Sequence, residues 1–208
     1  MNFFLSISML SLCAAFQARP VIKAPTAPAR EKIRWIVQKN SSLSIAGHTN
    51  VNRFSCGVAE YGEADTITCL NEGFRGENRG IPLRGALRID IAGFDCSNKF
   101  MTSEFKKTLK YKDYPRLIIT FVSLDKMPVF DNRAETVKGC VNVELAGVSR
   151  RFDINYTSSR LDAATLELIG NREFGFSDFG LQPPQKMGGL IRVNDVLNVQ
   201  FILCLRPM

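Results

Sequence analysis

Apolar and polar side chains alternate along much of the chain. Leu83, Gly85, Leu87, Ile89 and Ile91 fall on one face of a period-two pattern, and Arg84, Ala86, Arg88, Asp90 and Ala92 fall on the other. This is what a strand with one buried and one wet side requires. The same beat sets Val137, Gly139, Val141, Val143 and Leu145 against Lys138, Cys140, Asn142 and Glu144. It sets Phe152, Ile154 and Tyr156 against Arg151, Asp153 and Asn155, and Leu197, Val199, Phe201, Leu203 and Leu205 against Asn198, Gln200 and Cys204. Shorter strands are expected at 43–47, 49–56, 66–70, 117–124 and 166–170. Turn chemistry separates them: Ala146-Gly147-Val148-Ser149 suits a hairpin, 130–133 a polar loop, and Gln182-Pro183-Pro184-Gln185 a stop. Around eight antiparallel strands or more, with almost no helix, predict a closed barrel or a sandwich.

One segment breaks the alternation. Met101, Phe105 and Leu109 are spaced four apart, while Lys106, Lys107, Lys110 and Lys112 supply a wet face. The spacing predicts one short helix, about Thr102 to Lys110, with Thr102 or Ser103 as N-cap and its apolar stripe closing one end of a barrel. Pro115 then biases Tyr114 away from helical geometry and sends the chain into an extended run. That run is apolar on both faces, Leu117, Ile119 and Phe121 on one and Ile118, Val122 and Leu124 on the other. Its second face needs a cover, and the neighbouring helix is the expected one.

Composition narrows the class. The chain has 208 residues, 45% hydrophobic and 23% charged, which is ordinary globular material for one domain. Lys and Arg exceed Asp and Glu by 27 to 20, but the excess is spread along the chain and forms no nucleic-acid arm. Residues 3–12 form an apolar run too short to span a bilayer, followed by the small residues Ala14 and Ala15. Residues 1–18 therefore read as a signal peptide, with acylation of Cys13 as the lesser alternative. Residues 19–32, rich in Pro and Ala, read as a linker, and 33–208 as the folded domain. Nothing later is long and apolar enough to insert stably in a membrane as a helix. Loss of the signal leaves Cys56, Cys69, Cys96, Cys140 and Cys204. Their spacing contains no CxxC pair, so a metal site is not expected; buried thiols and one disulfide both stay open.

Candidate catalytic features have plainer readings. Asp178-Phe179-Gly180 spells a kinase magnesium motif, but no phosphate loop or catalytic loop accompanies it, so a turn is expected. His48 is the sole histidine and has no nucleophile elbow to serve. No catalytic residue and no cofactor is expected. The glycine-rich stretch 73–80 reads as a hairpin loop placed to gate an opening. Trp35 either plugs a barrel end or stacks on a ligand at its mouth.

Several landmarks in order resemble the YceI-like family. They are Trp35-Ile36-Val37 with Ser41-Ser42-Leu43, the segment from Asn98 to Tyr114-Pro115, Val137-Lys138-Gly139 through Ala146-Gly147-Val148, and Ser177-Asp178-Phe179-Gly180. The resemblance implies an all-β, lipocalin-like antiparallel barrel of about eight strands with one short helix. It also implies bacterial export to the periplasm or beyond, and a polyisoprenoid or similar long-chain amphiphile held in the lumen without catalysis or nucleic acid. Two positions depart from the family's pattern: Asn40 stands where a His is usual and Phe176 where an Arg is usual. The lumen-lining, ligand-binding set read from the alternation is Leu87, Ile89, Ile119, Phe121, Val141, Val143, Phe201 and Leu203. With Gly85 and Gly139 among them, a roomy interior is expected; a filled barrel serving as an envelope structural or interaction protein is the alternative, and a homodimer stays open.

Overall fold

A computed structural model describes residues 33–70, 80–129 and 133–208. The expected signal peptide, linker and Cys13 lie outside them, as do most of the glycine-rich loop and residues 130–132.

The described residues form thirteen strands. They are β1 (Ile33–Val37), β2 (Ser42–His48), β3 (Arg53–Val58), β4 (Thr66–Cys69), β5 (Ile81–Arg84), β6 (Ala86–Asp90), β7 (Arg116–Leu124), β8 (Glu135–Leu145), β9 (Val148–Arg160), β10 (Leu166–Gly175), β11 (Gln185–Lys186), β12 (Ile191–Arg192) and β13 (Val196–Pro207). One helix, α1, spans Lys99–Thr108. All but β11 and β12 join one antiparallel sheet. Three passes of the chain are broken in two: β1 and β2 both pair with β13, β4 and β3 pair with β1 and β2 in turn, and β5 and β6 both pair with β7. Counted as passes, the strands make a closed eight-stranded antiparallel barrel, shut where β1 meets β13.

The alternation predicts this wall well because each buried set faces the axis. Val137, Gly139, Val141 and Val143 are buried in β8, as are Phe152, Ile154 and Tyr156 in β9. The β8–β9 hairpin turns at Ala146 and Gly147, with φ of 52° and 80°, the primed geometry that matches strand twist. The strand expected at 49–56 instead begins at Arg53, because Thr49 Oγ1 accepts from the amides of Val51 and Asn52 and makes residues 49–52 a turn. The break between β5 and β6 falls at Gly85, whose φ is +151°; a side chain there would meet the Thr66 carbonyl at 2.5 Å. Gly85 thus serves a close backbone approach and opens no space in the lumen.

The helix starts earlier than expected. Asn98 is the N-cap and its side chain accepts from the Met101 amide at 3.1 Å. Thr102, the expected cap, lies inside the helix, where its Oγ1 accepts from the Cys96 amide at 2.9 Å. Phe105 and Leu109 are buried and face the same interior as Leu117 and Ile119. The helix therefore closes the barrel end and does not cover the second face of β7. Ile118 and Val122 stay half-buried outside, and the ladder to β8 shifts register between Phe121 and Ser123.

Near the helix, β3 and β6 face each other without a ladder, and other groups close the seam. Gly57 and Asp95 exchange backbone hydrogen bonds at 2.8 and 2.9 Å, and Cys56 and Cys96 form a disulfide. The Tyr61 hydroxyl accepts the free amide of Arg88 at 3.0 Å and donates to Asp65 at 2.5 Å, while Asp65 also pairs with the Arg88 guanidinium. Burial and then the Asp65 carboxylate push the Tyr61 phenol well above its ordinary pKa. Cys69, Cys140 and Cys204 are buried free thiols.

Candidate ligand-binding site

Strands β2, β7, β8, β10 and β13 carry apolar side chains toward the barrel axis at the helix end, and Phe105 of α1 and Leu109 at its C-cap add to them from above. Between them lies a cavity of about 60 Å³. Its walls include Leu43, Leu117, Ile119, Val143, Phe174, Phe179, Leu197 and Phe201. A smaller hollow of about 20 Å³ lies beside Leu87, Ile89, Phe201 and Leu203. Thus Ile119, Val143 and Phe201 line the main cavity, and Leu87, Ile89 and Leu203 meet Phe201 at the second. Phe121 and Val141 are buried in the core and line neither of these two.

The interior is fuller than the glycines suggest. A Cβ on Gly139 would lie 2.6 Å from the Tyr156 ring, so Tyr156 already occupies that space. Phe152, Phe174 and Phe179 pack as a cluster, Phe152 and Phe174 edge to face at 4.8 Å. Phe94 and Phe105 make a similar pair at 5.6 Å. Pockets for drug-sized ligands run from about 300 to 1,000 Å³, so the cavity accepts a few methyl-sized groups and not a chain of isoprene units in this closed form. Sequence alternation missed Phe94, Phe176 and Phe179, since each lies outside a strand. Trp35 is buried at the end opposite the helix, paired across to Ile67 and Pro207, and so plugs that end.

Outside both of these inner hollows lies a third, a groove of about 230 Å³ at the mouth. The 49–52 turn, α1 and the β11–β12 segment enclose it, through Val51, Phe54, Phe100, Met101, Pro184, Ile191 and Val193 among others. Phe105 and Phe176 line both the groove and the main cavity, so these two rings form the partition between them. Asn50 bolts the rim together: its side chain donates to the Leu190 carbonyl at 2.8 Å and accepts from the Arg192 amide at 3.0 Å.

The groove has one charged feature. Lys186 Nζ lies 2.6 Å from Glu104 Oε2 and 4.6 Å from the centre of the Phe100 ring. The Lys186 hydrogen bond holds the Glu104 carboxyl below the usual carboxylate range. The folded value is lowered, so this tie between α1 and β11 is present above that range and is lost as pH falls through the lowered pKa. The inner cavity, by contrast, has no ionisable side chain on its wall. Its chemistry is to exclude water and accept apolar groups.

The expected turn at Asp178-Phe179-Gly180 is present. Residues Ser177–Phe179 form a 3-10 turn ended by Gly180 in the left-handed region, and Asp178 accepts from the Gly175 amide at 2.8 Å. His48 is exposed, with Nε2 2.7 Å from the Asn194 amide nitrogen. Among the described residues no group of three His, Cys, Asp or Glu is placed to hold a metal, and no helix is long and apolar enough to cross a membrane.

No protein-family model and no curated protein matches the chain. Solved structures do resemble it. A polyisoprenoid binding domain from Saccharophagus degradans, implicated in plant cell wall breakdown, superposes with a TM-score of 0.60 at 12% identity, over 83% of this chain and 97% of that one. Burkholderia cenocepacia BcnA superposes with a TM-score of 0.58 at 14% identity, over 79% and 95%. The Campylobacter jejuni YCEI protein gives 0.46 at 20% identity, over 60% and 72%. At such identities the likeness is one of fold, and the fold of this chain is a lipocalin-like, closed eight-stranded antiparallel barrel with a short helix.

Proposed function

We propose that this protein binds one long-chain apolar amphiphile, of polyisoprenoid or similar chemistry, with its chain in the barrel and its polar end at the mouth. The observation that carries the reading is the pair of apolar hollows, one inside and one outside, divided by the two rings of Phe105 and Phe176. Rotation of those rings joins groove and cavity into one channel leading toward Leu87, Ile89, Ile119, Phe121, Val141, Val143, Phe201 and Leu203. Burial of apolar surface at about 25 cal/mol per Å² then supplies affinity without a charged contact. The likeness to a polyisoprenoid binding domain supports the same ligand class. The protein acts in this reading as a binder and not as an enzyme.

Residues 1–18 are removed as an export signal, 19–32 remain as a tether, and the 33–208 domain works in the periplasm or outside the cell. The Cys56–Cys96 disulfide supports an oxidising compartment.

A second reading has its own observation. The cavity of about 60 Å³ is small enough for a permanently filled barrel that serves only as an envelope interaction protein. Thermal unfolding with and without a long-chain prenol delivered from cyclodextrin separates the two. At a hundredfold excess over Kd, binding raises the midpoint by about 5–10 °C. No shift, and no lipid retained in native mass spectrometry of protein purified without delipidation, would leave the filled barrel standing.

A further inference from the structure

The C-terminal Met208 apart, the mouth carries the most exposed large apolar side chains among the described residues. Phe100 is 65% exposed, Val51 59%, Met187 70% and Leu190 71%. They stand on three separate pieces of chain: the start of α1, the 49–52 turn, and the turn between β11 and β12. These are the three pieces that enclose the groove: Val51 and Phe100 line it, and Met187 and Leu190 adjoin its lining residues Lys186 and Ile191, so the tips stand in a ring around an apolar opening. The 49–52 turn is held by Thr49, and Asn50 ties it to residues 190–192, so the tips are presented by a fixed frame.

Charge around the ring has one sign in excess. Lys99 precedes Phe100, Arg53 lies between groove-lining Asn52 and Phe54, and Arg192 lies between groove-lining Ile191 and Val193; all three are exposed. The acids nearby are already engaged, Glu104 by Lys186 and Asp195 by the amide and hydroxyl of Ser177. Arg192 donates Nε to the Gly189 carbonyl at 2.7 Å, and among the described residues no carboxylate pairs with it, Arg53 or Lys99. Separated apolar tips flanked by cations without a carboxylate partner are the chemistry of a surface that dips into the headgroup layer of an anionic bilayer. From the exposed ring, its cations and the groove within it, we propose that the barrel docks mouth-first on anionic membranes, with Val51, Phe100, Met187 and Leu190 inserted and Arg53, Lys99 and Arg192 on lipid headgroups. Docked so, the groove opens onto the acyl layer. The inference deepens the binding function proposed above by naming the source from which the amphiphile enters.

The test is sedimentation of the full chain with vesicles of phosphatidylglycerol and phosphatidylcholine, against vesicles of phosphatidylcholine alone. The 3–12 segment is common to every variant, so differences between variants report the mouth. Binding is expected to need phosphatidylglycerol. It should fall about tenfold or more in M187S/L190S and about fivefold in each of K99Q and R53Q. The substituted side chains are solvent-exposed, and an unchanged unfolding midpoint checks that each variant folds. Equal binding by the wild type and M187S/L190S overturns the proposal, as does equal binding to both vesicle types. So does concentration-dependent self-association that M187S/L190S abolishes, which would give the ring to a second copy of the chain. Prenol stabilisation is measured separately from cyclodextrin. Vesicle docking without it supports this proposal and overturns only the lumen reading, whereas prenol stabilisation without vesicle docking does the reverse.

Discussion

Tyr156 sits inside the barrel between two glycines on its neighbouring strands. A Cβ on Gly139 or on Gly170 would come within 2.6 or 2.7 Å of its ring. The two glycines therefore exist to admit one aromatic side chain, and burial pushes that phenol far above its ordinary pKa. Adding even a methyl group here overpacks a rigid site. G139A should lose about 1–3 kcal/mol of stability in denaturant unfolding. Replacing Tyr156 by Leu should relieve the clash, so G139A in a Y156L background should cost less than G139A alone; additive costs would show that the ring does not fill the space. Gly139 was legible in the sequence as inward-facing, and Gly170 only as the end of a strand. Their meaning was not, because whether a glycine leaves a void or receives a neighbour depends on a side chain from the adjacent strand. Cys204 gives a parallel case: alternation places it on the wet side, yet it is buried, and burial with Glu167 and Asp162 nearby pushes its thiol up to about 11.

At the scale of elements, the long strands and the β8–β9 hairpin could be read directly, since period-two burial and an Ala-Gly turn are local properties. The helix was legible as a helix, but its start was placed late because the Asn98 cap competes with Thr102 and Ser103 for the same role. Thr102 turned out to satisfy Cys96. The seam between β3 and β6 was invisible for a different reason: its closure joins residues far apart in sequence. Cys56 and Cys96 are separated by 40 positions, and no spacing rule pairs them. A loop of that length, cross-linked, stabilises by about 4 kcal/mol in the chain-entropy account. C56S/C96S should thus lower unfolding stability by about 2–4 kcal/mol, and the same loss should appear when the wild type is unfolded in a reductant. Equal stability in the two states would mean that the Gly57–Asp95 bridge and Tyr61 hold the seam without the disulfide.

The whole molecule poses the question that neither residues nor elements decide, namely how a barrel with so little free volume takes up a long ligand. Alternation shows which side chains face the axis, but volume is set by aromatic rings, Tyr156 and Phe174 from the strands and, from outside them, Phe94 and Phe105 over the mouth and Phe176 and Phe179 from the turn after β10. If Phe105 and Phe176 are the partition, the closed form is stabilised by their packing, and every binding event must first give that packing up. The apparent affinity is then the intrinsic affinity reduced by the small open fraction. Phe176→Leu keeps the site apolar, removes part of the ring and should cost the unliganded protein about 1–2 kcal/mol. The open form lacks that packing, so its population rises, and a shift of 1.4 kcal/mol makes prenol binding about tenfold tighter. A variant that is less stable alone yet binds more tightly is the signature of a gate, read by unfolding of the free protein and by prenol titration of the same sample. Loss of stability with unchanged or weaker binding would instead make Phe176 part of a permanent core, and the barrel would then be filled by design.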